Sequence, residues 1–321
     1  MNKKENVAHF DLVKQQNRKI IRNLLRAESP LSIAQISDRV GLSYPTVASL
    51  LKELTASGET LISQQQNIAG GRPGICYELN PSYQYGMTLY FDDFTLKGKI
   101  HDAFGKTIKP FQYNNISAKF SVSDILNIVR RQQEEYPELS TLSIGVPGAV
   151  HESEICFLPK FPKLVGTKLV QTLEQNTGLD VLIENDVNAI AFAEVGQLED
   201  FAHIIYVEED ECIGVGIVMQ GQIVKGCGGY AGELEYLCKD LKDREDTFVT
   251  CIKALTCVLN LPDILLSGNF CSDENLEKIR QKLSTQLPEE RIPTLHAVEN
   301  PDQLYETGLF RRILQKWSEQ V

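Results

Sequence analysis

Three short stretches of this 321-residue chain carry side chains able to do chemistry on a small ligand. Glu184-Asn185-Asp186 stands at the carboxyl end of a predicted strand and opens a helix, where open α/β sheets place their ligands. A carboxylate there accepts hydrogen bonds from two neighbouring hydroxyls, or acts as general base on one of them. Asn185 offers a donor and acceptors, a set that suits a polyol. Gly145-Val146-Pro147-Gly148 is a tight turn after a strand, bringing backbone close to whatever is bound. Gly228-Gly229-Tyr230-Ala231-Gly232-Glu233 is a second flexible loop that delivers a carboxylate. Taken singly, each stretch is more often a helix cap or a turn. Their recurrence in one order makes Gly148, Asn185, Asp186 and Glu233 the candidate ligand-binding residues.

A second set of residues suits a different partner. Ile33, Ile36 and Val40 form an apolar stripe at helical spacing, Gly41-Leu42 breaks it, and Val47, Leu50, Leu51 and Leu54 form another. Two short amphipathic helices around a tight Gly turn are the pattern of a helix-turn-helix. Ser32 with Gln35 reads as a capping box, Ser43 as the next N-cap, and Pro45 falls in a first turn that needs no N–H from it. The outer face then presents Ser43, Tyr44, Thr46, Ser49 and Lys52, which can reach base edges and phosphates in a major groove. Strands are expected over Thr60–Ser63 and Ile75–Leu79. The loop between them ends in Gly70-Gly71-Arg72-Pro73-Gly74, a wing whose Arg72 suits a minor groove. A helix over residues 11–27 precedes this unit, and its Lys14, Arg18, Lys19, Arg22 and Arg26 are further candidates for phosphate contact or for a solvated face.

Charge separates the same parts. Through Asn80 the chain carries a net +3, and the remainder a net −14. A mildly basic head on an acidic body fits a nucleic-acid reader joined to something that stays off nucleic acid. No run approaches the roughly 18 apolar residues of a membrane span, and no signal-peptide core opens the chain, so a cytoplasmic location is expected. The eight cysteines lack the close paired spacings of a zinc knuckle. Spacing lets Cys251 meet Cys257, or Cys227 meet Cys238, with reduced buried thiols as the expectation.

Three units are expected: residues 1–80 as the head, 81–200 and 201–321 as two halves of the body. The first half reads strand (Tyr85–Phe91), two short strands, a helix (Ser121–Gln133), a strand into Gly145, a helix to Gly178 and the strand Val181–Ile183. The second half repeats the grammar from Ile204, and Leu309–Trp317 is the last helix. Two successive meander-plus-α/β units suggest a duplicated α/β body with a cleft between its halves.

The chain resembles the ROK family of repressors, unassigned frames and sugar kinases. Gly70-Gly71-Arg72-Pro73 resembles the wing of its repressor branch. Gly145-Val146-Pro147-Gly148, Glu184-Asn185-Asp186-Val187-Asn188-Ala189 and Ala231-Gly232-Glu233-Leu234 resemble its sugar-domain signatures. The resemblance implies an α/β fold: an N-terminal winged helix-turn-helix followed by a duplicated actin-like ATPase (ribonuclease H-like) domain. It also implies that Asn185, Asp186 and Glu233 contact sugar hydroxyls, with Asp186 the catalytic base in an active kinase.

The departures bear on activity. Where the family's kinases carry an Asp and a Gly-Gly-Thr phosphate loop, this chain reads Phe91-Asp92-Asp93-Phe94-Thr95, and two carboxylates repel a phosphate. The second phosphate loop reads Glu208-Glu209-Asp210-Glu211-Cys212-Ile213-Gly214. Tyr236 replaces the zinc-binding His, and the clustered cysteines after it are missing. The expectation is a DNA-binding transcriptional regulator, a repressor of carbohydrate genes, with no catalytic residues, metal or cofactor. Its partners are double-stranded DNA, a small-molecule effector such as a sugar or sugar derivative, and a second copy in a homodimer. The alternatives are an ATP-dependent sugar kinase with a regulatory head, and a dimerisation body with an empty pocket.

Overall fold

The computed structural model describes residues 3–65, 74–207, 212–241, 243–268 and 270–319. In the head, α1 (Lys3–Glu28) is followed by β1 (Leu31–Ser32), α2 (Ile33–Val40), α3 (Tyr44–Ala56), β2 (Thr60–Gln65) and β3 (Gly74–Leu79). The expected caps set the boundaries. Ser32 Oγ accepts from the Gln35 N–H and the Gln35 side chain accepts from the Ser32 N–H, closing a capping box. Gly41, at φ 67, turns the chain out of α2, and Ser43 caps α3 by accepting from the Thr46 N–H. Both apolar stripes face inward: Ile36, Val47, Leu51 and Leu54 join Ile21 and Leu25 of α1 in one core. β2 and β3 pair antiparallel from Thr60–Leu79 out to Gln65–Gly74, the hairpin expected for a wing.

The body holds two five-stranded sheets. The first is built from β4 (Tyr85–Asp92), β5 (Thr95–His101), β6 (Thr107–Tyr113), β7 (Leu139–Val146) and, after the β8 (Ala149–His151) and β9 (Glu154–Phe157) hairpin, β10 (Asp180–Asn185). Its order is β10-β7-β4-β5-β6, with α4 (Val122–Glu135) and α5 (Leu169–Thr177) covering one face. Strand β10 runs directly into α6 (Asp186–Phe192).

The second sheet is built from β11 (Phe201–Val207), β12 (Cys212–Met219), β13 (Gln222–Ile223), β14 (Asp263–Ser267) and β15 (Thr294–Ala297), in the order β13-β12-β11-β14-β15. With it go α7 (Glu235–Cys238), α8 (Arg244–Leu259) and α9 (Asp273–Ser284). In each sheet an antiparallel three-strand meander is followed by two parallel strands, so the repeat expected from sequence is present in the hydrogen bonding.

Helix α10 (Pro301–Glu319) starts eight residues before the expected Leu309. It follows the second sheet in the chain but packs on β4 and β7 of the first sheet and on α6. Gly308 permits that approach, because a Cβ there would lie 1.7 Å from the Ala189 carbonyl oxygen. Tyr90, Ala189, Ile205, Tyr305 and Leu309 form an apolar plug joining both sheets to α10.

Two expectations need correction. The cations of α1 do not form a phosphate-facing row: Lys14 Nζ and Arg18 Nη2 reach Glu53 of α3 at 2.8 and 3.4 Å, and Arg22 reaches Glu59 at 3.6 Å. Amphipathic spacing placed these residues on one side of α1 but could not show that Glu53 of α3 and Glu59 beyond it answer them. The cysteines that meet are Cys238 and Cys251, buried thiols with Sγ atoms 3.4 Å apart, whereas Cys227 and Cys257 are exposed. The α7–α8 packing, not sequence spacing, selects that pair.

Candidate functional site

The junction between β10 and α6 gathers the expected ligand residues around one capped turn. Asn185 is the N-cap of α6, with φ −66 and ψ 147, and its Oδ1 accepts from the Asn188 N–H at 3.0 Å. Its Nδ2 donates to the Gly148 carbonyl at 2.8 Å. Both ends of the Asn185 amide are therefore engaged within the chain. Gly148 is required as glycine, since a Cβ would stand 2.1 Å from the Phe157 carbonyl oxygen where β9 crosses.

Asp186 occupies the first turn of α6, where its Oδ1 accepts from the Val187 N–H at 2.9 Å. Burial pushes its carboxyl up to about 6, and the charge of Glu233 adds to the rise. Burial likewise raises Glu233, helped by neighbouring Glu235. Two carboxyls near each other, both displaced toward neutral pH, can accept from hydroxyls or exchange a proton with one. The space beside Glu233, lined also by Asn185, Asn188, Gly214, Gly229 and Gly232, is about 20 Å³. That is room for about one water.

The sequence pointed to the stretch holding Glu184 but not to its partners Lys225 and Arg312, nor to Tyr305. Glu184, only 2% exposed, meets Lys225 Nζ at 2.8 Å and Arg312 Nε at 3.9 Å, so the second lobe and α10 both answer one buried carboxylate of the first lobe. The Tyr305 hydroxyl is buried against Gly145 and has no hydrogen-bond partner among the described residues. The available signal was Asn300-Pro301, a turn followed by a helix-initiating proline, which places Tyr305 and Arg312 on α10.

The turn where a phosphate loop was sought is a tight β4–β5 hairpin with Asp92 paired to Thr95 and Asp93 at φ 48. Its carboxylates are not left to repel an anion: Lys97 meets Asp92 at 2.6 Å and Lys160 meets Asp93 at 3.1 Å. The turn, Asp92-Asp93-Phe94-Thr95, contains no glycine. Glu208, Glu209, Asp210 and Glu211 lie outside the described residues, as do Gly70, Gly71, Arg72 and Pro73 of the wing.

In the head, Ser43, Tyr44, Ser49 and Lys52 are exposed along α3, with Thr46 half-buried beside them. Ser43 and Thr46 are joined through their hydroxyls at 2.8 Å. Tyr44, at 55% exposure, is the largest group on that face.

A winged helix-turn-helix head on a duplicated, actin-like α/β body is the class of protein these features define. The family profile described as ROK matches residues 112–291, and one described as winged helix-turn-helix DNA-binding matches residues 14–58. The chain belongs to the ROK family. It is similar to the xylose repressor of Bacillus subtilis (strain 168), 25% identical over 244 residues that cover 73% of this chain and 63% of the relative. It is also similar to the DNA-binding transcriptional repressor Mlc of Escherichia coli (strain K12), 22% identical over 67% of this chain and 56% of Mlc. The chain thus spans less than two thirds of these relatives' length.

A stretch of 106 residues, 32% of this chain and 36% of the relative, is 40% identical to the N-acetylmannosamine kinase of Salmonella arizonae (strain ATCC BAA-731 / CDC346-86 / RSK2980). Among solved structures, a ROK family transcriptional regulator described as a homolog of the E. coli MLC protein superposes with a TM-score of 0.68. It is 17% identical, over 94% of this chain and 99% of its own. A ROK family glucokinase from Streptomyces griseus gives 0.53 at 14% identity, over 72% of this chain and 99% of its own. At those identities the structures speak to the fold.

Proposed function

We propose that this chain is a DNA-binding transcriptional regulator, a repressor of carbohydrate genes, whose body senses a sugar or sugar derivative without phosphorylating it. The head comprises residues 1–80 and the two lobes 81–200 and 201–321. The carrying observation is the face of α3: a capped, firmly packed helix leaves Ser43, Tyr44, Ser49 and Lys52 exposed beside the β2–β3 hairpin. A helix so placed enters a major groove with its N-terminal residues toward the base edges, and Arg72 reaches the neighbouring minor groove. Two heads in a homodimer read two half-sites, and a ligand between the lobes alters their spacing through its preference for one body arrangement. Gly148, Asn185, Asp186 and Glu233 form the ligand site. The space between Asn185 and Glu233 is about 20 Å³, so a sugar enters there only when the loop carrying Glu233 moves away from α6.

Selection of duplexes from a random pool by the full chain tests the DNA reading, with enrichment of a two-fold symmetric sequence expected. A pool that stays random contradicts it. The second reading, an ATP-dependent sugar kinase, is favoured by Asp186, whose carboxyl at about 6 suits a general base at neutral pH. ADP release assayed across pentoses, hexoses and amino sugars separates the two. No turnover is expected, and turnover abolished by Asp186→Asn establishes the kinase.

A further inference from the structure

The head and the body meet at a small joint. Ala103, in the β5–β6 turn of the body, is 1% exposed and belongs to the head's apolar core. Its N–H donates to the Pro81 carbonyl at 3.1 Å. Arg26 of α1 donates from Nε to the Ala103 carbonyl at 3.1 Å and holds its guanidinium 5.8 Å from the centroid of the Trp317 ring. Trp317, near the end of α10, is buried, and its indole N–H donates to Thr141 Oγ1 of β7 at 2.8 Å. One arginine therefore ties the head to a body turn and to the last helix at once.

The same helix reaches the candidate ligand site. Tyr305 lies twelve residues before Trp317, about 18 Å along the axis. Between them Gly308 lies against the α6 backbone with no side chain interposed, and Arg312 faces Glu184 at 3.9 Å. Asp186 opens α6 and Glu184 immediately precedes Asn185, so α10 touches both sides of the junction that carries the expected ligand residues. Close-packed contacts of this kind pass on a displacement instead of absorbing it.

We infer that Arg26 and Trp317 are positioning residues of a transmission joint, through which α10 links the interlobe site to the orientation of the head. This rests on the reading that the head binds DNA. Coupling between two sites is reciprocal, so whatever the body does to the head, DNA on the head must do to the body.

Trp317 is the single tryptophan of the chain, so its fluorescence reports on this joint alone. Titration with a duplex selected by the full chain, followed both by anisotropy of the labelled DNA and by acrylamide quenching of Trp317, tests the inference. In the wild type, bound duplex shifts the quenching of Trp317 while an unrelated duplex does not. Arg26→Ala, and independently Arg26→Lys, which keeps the charge but not the planar fork, lose the shift while still binding the duplex. Duplex bound with no shift in the wild type overturns the joint, as does a shift retained in both variants. Failure of the wild type to bind any duplex overturns the proposed function, and the joint with it.

Discussion

The outer face of α3 and the interlobe junction spend their polar side chains in opposite ways. On α3 the exposed groups of Tyr44, Ser49 and Lys52 stand clear of the core, and only the Ser43–Thr46 pair is used, to start the helix. At the junction Asn185 is bound at both ends, the Gly148 carbonyl is taken, and buried Glu184 is held by Lys225 and Arg312. The first region presents its polar groups to solvent. The second keeps two lobes and a helix in register, and burial raises the carboxyls of Asp186 and Glu233 beside it.

The largest expected effect breaks the body and spares the head. Gly308→Ala drives a methyl into the Ala189 carbonyl, so α10 must lift from α6, a loss of about 3 kcal/mol, the upper end of the usual overpacking cost. Calorimetry is expected to show the body's transition falling while the head's stays in place. A single unshifted transition contradicts the close α6–α10 contact.

Acid sharpens the same contrast. Burial pushes His203 down to about 3 and His101 down to about 4, so both stay neutral in the folded body while an unfolded histidine takes a proton below about 6.5. Each therefore removes stability as the pH falls from 6.5 toward 4, by up to about 1.4 kcal/mol per pH unit. Asp186 works the other way: its raised carboxyl is least favourable as the anion, and acidification through about 6 relieves it. Denaturant melts at pH 7, 6, 5 and 4 are expected to show net loss of body stability, steeper in Asp186→Asn. Stability that rises on acidification contradicts the histidine assignments.

Asn185→Ala removes both a cap and the tie to Gly148, about 2 kcal/mol of body stability by urea unfolding. A change below about 0.5 kcal/mol would mean that the cap is not holding the junction. Lys52→Ala should leave the melting curve within about 0.5 kcal/mol and lower the salt dependence of DNA binding by about one phosphate contact. An unchanged salt slope removes Lys52 from the interface.

Much of the head was legible because its signals are local. Ser32 with Gln35, Gly41 and Ser43 each act within one turn of their own position, and the apolar stripes needed only helical spacing. The body's repeat was legible for the same reason, strand by strand. What escaped depends on contacts distant in the chain. Lys14, Arg18 and Arg22 have carboxylate partners 35 to 39 residues away, and Asp93 meets Lys160, 67 residues on. Asn185 shows a different limit: capping and polyol recognition call for the same amide atoms, so residue type alone cannot say which use the fold makes of it.

The most direct test compares one duplex affinity in two proteins at fixed salt: the wild type and the double variant Tyr44→Ala, Ser49→Ala. Neither residue supports the core, so the melting curve should stay within about 0.5 kcal/mol while preference for the selected duplex over a scrambled one falls at least about tenfold. Full retention of that preference by the double variant would contradict the claim that the open face of α3 reads DNA.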